Sequence, residues 1–214
     1  MADEPSPPTI SLHEAIYSLR AMRRLRSDPV SDEDLNYVID AATQAASGEN
    51  TQRWAFVVVR DPELRKGIGE IYLQLGVVGI KPILETSTDE RELRVYRHAM
   101  RFAERFGEVP AMIVCCMKGA HPTGEAPTMQ ATWYGSIFPA VQNMMLAARA
   151  RGLGTVLTTL HLGAEQAVKD LLGIPDDVAT VAIIPIGHPE GEWKKPVRRP
   201  SEELTHWDQW GNLK

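Results

Sequence analysis

Two stretches of this chain, residues 110–117 (Pro-Ala-Met-Ile-Val-Cys-Cys-Met) and 178–186 (Val-Ala-Thr-Val-Ala-Ile-Ile-Pro-Ile), are apolar almost without interruption. Runs of this length and composition read as strands with neither face in water, so helices have to cover them on both sides. The spacing elsewhere supplies such helices. Ser11 with Glu14 forms a capping box that opens a helix expected over residues 11–22. A second starts at Ser31, where Asp32, Glu33 and Asp34 suit the positive end of a helix dipole. It carries Leu35, Val38, Ile39 and Ala42 at helical spacing and fades before Gly48. Residues 54–59 read as a third buried strand, and Asp61-Pro62 starts a helix to about residue 75. Residues 76–88 are punctuated by glycine and proline and left unassigned, while residues 89–106 form a charged helix stopped at Gly107. Ile137, Val141, Met144, Met145 and Ala148 give the next helix its apolar face, ending at Gly152. Residues 154–160 suggest a short strand, and residues 164–172 a helix closed by Gly173. Two helices followed by strands interleaved with helices predict an α+β fold, a central sheet packed between helices, with some connections antiparallel or irregular.

With 214 residues, 43% hydrophobic and 24% charged, the chain can bury one large core, and disorder is excluded for most of it. A formal net charge of −5 argues against a general nucleic-acid binder, and the arginine cluster described below has no interleaved aromatics. The only cysteines, Cys115 and Cys116, are adjacent, poorly placed for a bridge and without metal spacing, which points to a reducing compartment. No apolar run approaches membrane-spanning length, and the acidic, proline-rich start MADEPSPPTI is unlike a signal peptide, so no membrane role and a cytoplasmic location are expected.

Several chemistries are missing from the residues. There is no phosphate-cradling Gly-x-x-x-x-Gly-Lys, no Gly-x-Ser-x-Gly elbow and no paired metal-ligand spacing among the six histidines. With no protein-borne nucleophile or metal in sight, an enzyme of this sequence needs a cofactor to carry its chemistry. Four polar constellations remain. Residues 20–26 place four arginines in seven positions at an expected helix end, suited to an anion or simply to the helix dipole. Ser47-Gly48-Glu49-Asn50-Thr51-Gln52-Arg53-Trp54 enters a strand with two amides able to read a heterocycle edge, or to satisfy its own backbone. Gln142 and Asn143 sit in an apolar helix and are expected to tie helices together, with Gly152-Leu153-Gly154 turning the chain after it. Arg198-Arg199-Pro200 is a late basic turn that could reach the same anion or stay solvated.

In order and spacing these segments resemble the FMN-dependent nitroreductase family. Arg20-Ala21-Met22-Arg23 stands for its Arg-Ser-x-Arg, and Ser47 to Trp54 for its Ser-x-x-Asn-x-Gln-Pro-Trp. Gln142-Asn143, Gly152-Leu153-Gly154, Leu172-Gly173-Ile174-Pro175, Ile186-Gly187 and Arg199 follow in the family's order, over roughly residues 11–200. Two positions depart from it: Ala21 lacks a hydroxyl, and Arg53 replaces a proline.

The resemblance implies a mostly antiparallel sheet and an intertwined homodimer with FMN at the subunit interface. Arg20, Arg23, the backbone at Ala21 and Met22, and Arg24 would hold the phosphate and ribityl, closed on by Arg198 or Arg199. Asn50 and Gln52 would bond the ring, with Ser47 supporting their loop. Ser136, Ile137 and the Leu157-Thr158-Thr159 turn would line it. NADPH or NADH would reduce the flavin, and an electron-poor small molecule (nitroaromatic or quinone-like) would reoxidise it in ping-pong order, with no catalytic side chain required. Dehalogenation, enone reduction, oxygen-dependent flavin chemistry or flavin binding without turnover are the alternatives on the same scaffold. The expected organisation is a flexible arm over residues 1–10, one domain over 11–200 with a lid helix in 88–107, and a C-terminal arm over 201–214 docking on the partner.

Overall fold

Side-chain caps set the helix starts. In the computed structural model, which describes residues 10–213, Ser11 Oγ accepts the Glu14 N–H at 3.1 Å and Ser31 Oγ the Asp34 N–H at 3.0 Å. They open α1 (Leu12–Ser18) and α2 (Asp32–Thr43). Asp61 caps α3 (Pro62–Gly79), which runs on through Ile80 into α4 (Lys81–Thr86), and Asp89 caps α5 (Glu90–Glu104). Then come α6 (Pro127–Ala150) and α7 (Glu165–Leu172), the latter closed by a left-handed Gly173. The arm expected over residues 1–10 lies, through residue 9, outside the described residues.

The strands β1 (Trp54–Val59), β2 (Ala111–Lys118), β3 (Gly154–Thr155) and β4 (Val178–Gly187) form one sheet in the order β1-β2-β4-β3, antiparallel throughout. β2 and β4 hold the centre, as two uninterrupted apolar runs require. Alternation divides β2 between two cores. Ile113, Cys115 and Met117 face a core with Val38 of α2 and Ile137, Val141 and Met144 of α6. Met112, Val114 and Cys116 face the opposite core, with Ile68 and Tyr72 of α3, Phe102 of α5 and Val168 of α7. The adjacent cysteines therefore point to opposite sides and are free, and burial pushes both thiols well above their ordinary pKa.

Three expectations are corrected. The first helix stops at Ser18, short of residue 22, because residues 19–26 run extended along the sheet edge. There the Met22 N–H donates to Thr155 O (2.9 Å), the Arg26 N–H to His188 O (2.8 Å) and the Glu190 N–H to Arg24 O (3.0 Å). Edge pairing and burial of Leu19, Met22 and Leu25 outweigh helical propensity there. Residues 76–88, left unassigned, are mostly helical, because the end of α3 and all of α4 pack along α5. Over residues 62–86 a window reaches a mean hydropathy of 1.2, so by length and composition alone the α3–α4 stretch could cross a membrane, contrary to the expectation of no such run. Ile68, Gly69, Tyr72 and Gly76 give it a buried stripe, the pattern of a helix packed on a core.

Candidate functional site

The arginine segment forms one wall of a pocket. Because residues 20–24 are held extended, their side chains splay from the sheet edge and do not wind around a helix end. Gly154 makes the approach possible, since a Cβ there would lie 2.9 Å from Leu25 Cδ2 and 2.9 Å from Met22 Cβ. Across from this wall stands the face of α5 bearing His98 and Arg101, with Arg105 capping its C-terminal end, and the two walls enclose about 530 Å³. Glu104 is the single acid lining it. Arg20 reaches back to Glu192 O at 3.0 Å, while its Nε is buried with no hydrogen-bond partner. A buried guanidinium N–H left unpaired is costly unless an acceptor is to arrive, and this cradle fits a phosphate. Met22 is itself in the core and its N–H is spent on Thr155, so within this chain it offers a ligand little; Ala21 is exposed on the pocket wall.

The amide loop lies on the other side of the sheet. Ser47 Oγ accepts the Gln52 N–H at 3.1 Å, and Gln52 Nε2 donates to Asn50 Oδ1 at 2.9 Å. Glu49, Asn50 and Gln52 hold φ of 53°, 54° and 48°, three non-glycine residues in left-handed backbone within one short loop. Strain of this kind persists only where the surroundings over-determine it. Ser136 on α6 does so: its buried Oγ accepts the Gly48 N–H at 2.9 Å and donates to Thr132 O at 2.8 Å. Asn50 and Gln52 end up exposed. Ile137 is sealed in the core beneath, so its side chain supports α6 and presents nothing outward. Gln142 is exposed and Asn143 half-buried, neither with a side-chain hydrogen bond among the described residues, so they do not tie helices together. No residue of this loop lines the arginine pocket.

The Leu157-Thr158-Thr159 turn follows β3 on the arginine side. Thr158 is buried and its Oγ1 is hydrogen-bonded to the Tyr72 hydroxyl at 2.7 Å, while Leu157 and Thr159 are exposed. The late arginines stay apart: Arg198 donates to Val197 O, Arg199 pairs with Glu203 at 3.1 Å, and neither lines the pocket. Sequence reasoning missed His98, Arg101 and Arg105. Their spacing of three and then four residues along a charged helix was the available signal, but their partner wall is some eighty residues away.

It also missed a polar knot behind the turn. His161 is fully buried, and the one hydroxyl proton of Thr180 goes to Glu165 Oε1 (3.0 Å). The His161 Nε2–H is therefore the donor to Thr180 Oγ1 (3.1 Å), leaving Nδ1 bare and unpartnered. Burial pushes the imidazole pKa down from 6.5 to about 4. Partial burial works against Glu165, yet the N–H and O–H of Thr180, with His121, hold its carboxyl below the usual range. Both groups make the fold acid-labile. For a histidine whose folded pKa is lowered, stability is full above pH 6.5 and falls between 6.5 and about 4, by at most about 3 kcal/mol. His161→Gln keeps the donor to Thr180 without the titration. Urea midpoints between pH 7.5 and 4.5 should fall less steeply in this variant than in wild type, and parallel curves would remove His161 as the cause.

The fold, an antiparallel sheet between two helical layers, is shared with solved flavoproteins. One is a nitroreductase with bound FMN from Desulfitobacterium hafniense DCB-2, at 22% identity and a TM-score of 0.69, covering 92% of this chain and 98% of that one. The chain belongs to the Nitroreductase family, whose model matches residues 16–188. Among curated relatives, a Thermus thermophilus NADH dehydrogenase is 27% identical over 205 residues, 95% of this chain and 99% of the relative. Rat iodotyrosine deiodinase 1 is 26% identical over 180 residues, 83% of this chain but 61% of the relative's length.

Proposed function

We propose that the chain is an FMN-dependent NAD(P)H oxidoreductase that reduces electron-poor organic acceptors, nitroaromatic or quinone-like, as a homodimer. The observation that carries it is the arginine pocket, in which a buried Arg20 Nε waits for an acceptor. Family membership and a fold shared with an FMN-bound nitroreductase support the same cofactor. Bound flavin would supply two-electron transfer between the nicotinamide donor and the acceptor. Arg20, Arg23 and Arg24 hold the phosphate, with Ala21 and Met22 shaping the wall. Asn50 and Gln52 bond the ring edge, where donors favour the charge that builds on reduction, and Ser47 and Ser136 brace their loop. Thr158, oriented by Tyr72, and its neighbours Leu157 and Thr159 line the ring.

The separation of these parts supports the dimer. The phosphate wall and the 157–159 turn belong to the core of Met22, Tyr72 and Phe106, whereas the amide loop and Ser136 belong to that of Val38 and Ile137. One flavin reaches both when a second copy brings its loop over the first copy's arginines. In the C-terminal arm over 201–214, Trp207 is 48% exposed and Trp210 90%, side chains suited to docking on that partner. Trp193 is already occupied within the chain, stacked under Arg149 at 4.2 Å. Helix α5, in 88–107, is the lid, and Arg198 or Arg199 could close on the phosphate only after leaving the contacts they make here. Unpaired cysteines fit a reducing, cytoplasmic setting. Likeness to a deiodinase favours a second reading, the same electron delivery to a halogenated aromatic.

The first test is the visible spectrum of the purified protein, followed by anaerobic NADPH. Flavin bands that bleach are the expected result. A colourless protein that also fails to take up added FMN would sink this function.

A further inference from the structure

The pocket holds more positive charge than a flavin phosphate needs. Acids outnumber bases in the chain, 28 Asp and Glu to 23 Lys and Arg, and most ion-paired arginines lie away from this pocket. Arg26 pairs with Asp28, Arg97 with Glu90, Arg149 with Glu14, and Arg151 with Glu33 and Asp34. Of the pocket's five arginines only Arg105 has such a partner, Glu108 at 2.8 Å. Among the described residues Arg20, Arg23, Arg24 and Arg101 have none. Glu104 is the one acid among the lining residues, and the four unpaired arginines outnumber it; like charges at close range repel one another, so such a cluster marks a place kept for anions.

The two walls differ in kind. Arg20 is half-buried, with its Nε sealed off, and its segment is pinned by backbone bonds to β3 and residues 188–190. That is a seat for a ligand that stays. A phosphomonoester carries about two charges and three terminal oxygens, and the forks of Arg20, Arg23 and Arg24 already exceed what it can accept. The α5 wall is a rim: His98 and Arg101, one turn apart on the helix, and Arg105 at its C-cap are all exposed. Arg101 is the unpaired cation there among the described residues, between His98 and the Glu108-paired Arg105, and an exposed charge at the mouth suits a ligand that comes and goes.

We propose that the α5 rim is a separate anion subsite that takes the 2′-phosphate of an exchanging adenine dinucleotide, making the enzyme selective for NADPH over NADH, with Arg101 as the central specificity residue. This rests on the flavin reading above. A carboxylate-bearing acceptor would meet the same cations, but an adenylate carrying both a diphosphate and a 2′-phosphate matches the length of the rim and the surplus of charge.

The test compares wild type with Arg101→Gln, Arg101→Lys and, as a control, Arg91→Gln, nearly three turns away on the same helix and outside the pocket. Calorimetric titration with adenosine 2′,5′-bisphosphate, against 5′-AMP, reads the subsite without turnover. Arg101→Gln should weaken the bisphosphate at least tenfold relative to 5′-AMP, and lower by at least tenfold the ratio of kcat/KM for NADPH over that for NADH. Arg101→Lys should recover part of both, since a lysine keeps the charge but loses the fork. The proposal is overturned by an unchanged ratio, by an equal drop in Arg91→Gln, or by Arg101→Gln purifying without flavin, which would assign the rim to the flavin's own phosphate. Failure of wild type to bind FMN would instead remove the underlying function, so the two failures are separable.

Discussion

Arg20→Ala should purify nearly colourless and bind added FMN at least about 100-fold more weakly than wild type. Arg20 holds its place through one contact, to Glu192 O at 3.0 Å, and keeps a buried Nε–H unused. Under the proposed function the Arg20 fork would give two hydrogen bonds to phosphate oxygens. Hydrogen bonds to charged groups are each worth about 1.5–3 kcal/mol, so losing two costs roughly two to four powers of ten in affinity. Arg26→Ala is the matched control. It belongs to the same run of arginines, but its guanidinium pairs with Asp28 at 2.6 Å in solvent, and such a pair contributes about 0–1 kcal/mol. The expected contrast is a colourless Arg20 variant beside a yellow Arg26 variant, read from flavin absorbance per chain and from fluorescence titration with FMN. Equal retention by both would move the phosphate elsewhere on the protein.

That contrast also bears on how much of the molecule was legible in its sequence. β2 and β4 were, because a strand covered on both faces leaves an uninterrupted apolar run that little else produces. The amide loop was legible as residue types, but not its left-handed backbone at Glu49, Asn50 and Gln52, because the loop is anchored at Gly48 by Ser136, eighty-eight positions away. Residues 19–22 were misread for a physical reason. Leu19, Met22 and Leu25 recur at a spacing of three, which suits a helix face, yet here all three are buried from a non-helical segment, Met22 and Leu25 beside the residues they pair with, Thr155 and Pro189. The α5 rim was visible as a charged helix, but no local pattern reveals that His98 and Arg101 face Arg20 across a pocket. The knot of His161, Thr180 and Glu165 was hidden likewise, since a lone histidine announces neither its burial nor its partners. Pairing between elements decided each of these.

Gly69→Ala should destabilise the protein by about 1–3 kcal/mol, while Gly79→Ala on the same helix should stabilise it by up to about 1 kcal/mol. Both replacements gain helix propensity, so the sign is set by space. At Gly79 nothing lies within 4 Å of an added Cβ. At Gly69 that Cβ would sit 2.7 Å from Gly107 N and 2.8 Å from Gly107 Cα. These are backbone atoms and cannot swing aside as a side-chain tip would. The 106–108 turn is fastened to α3 on both flanks: Phe106 stacks on Tyr72 with ring centroids 3.8 Å apart, and Arg65 reaches the carbonyls of Gly107 and Val109. Relief must come from moving α5, which leads directly into that turn and carries the Arg101 rim. For a chain of this length each kcal/mol shifts Tm by about 2–4 °C, so the two variants should melt on opposite sides of wild type, separated by several degrees. Gly69→Ala should also lose part of the NADPH preference, because the wall opposite Arg20 is displaced while the inner arginines stay seated. A Gly69 variant as stable as the Gly79 variant would mean that α3 and the turn do not meet at this distance, and α5 would then lack the anchor that holds its cations over the pocket.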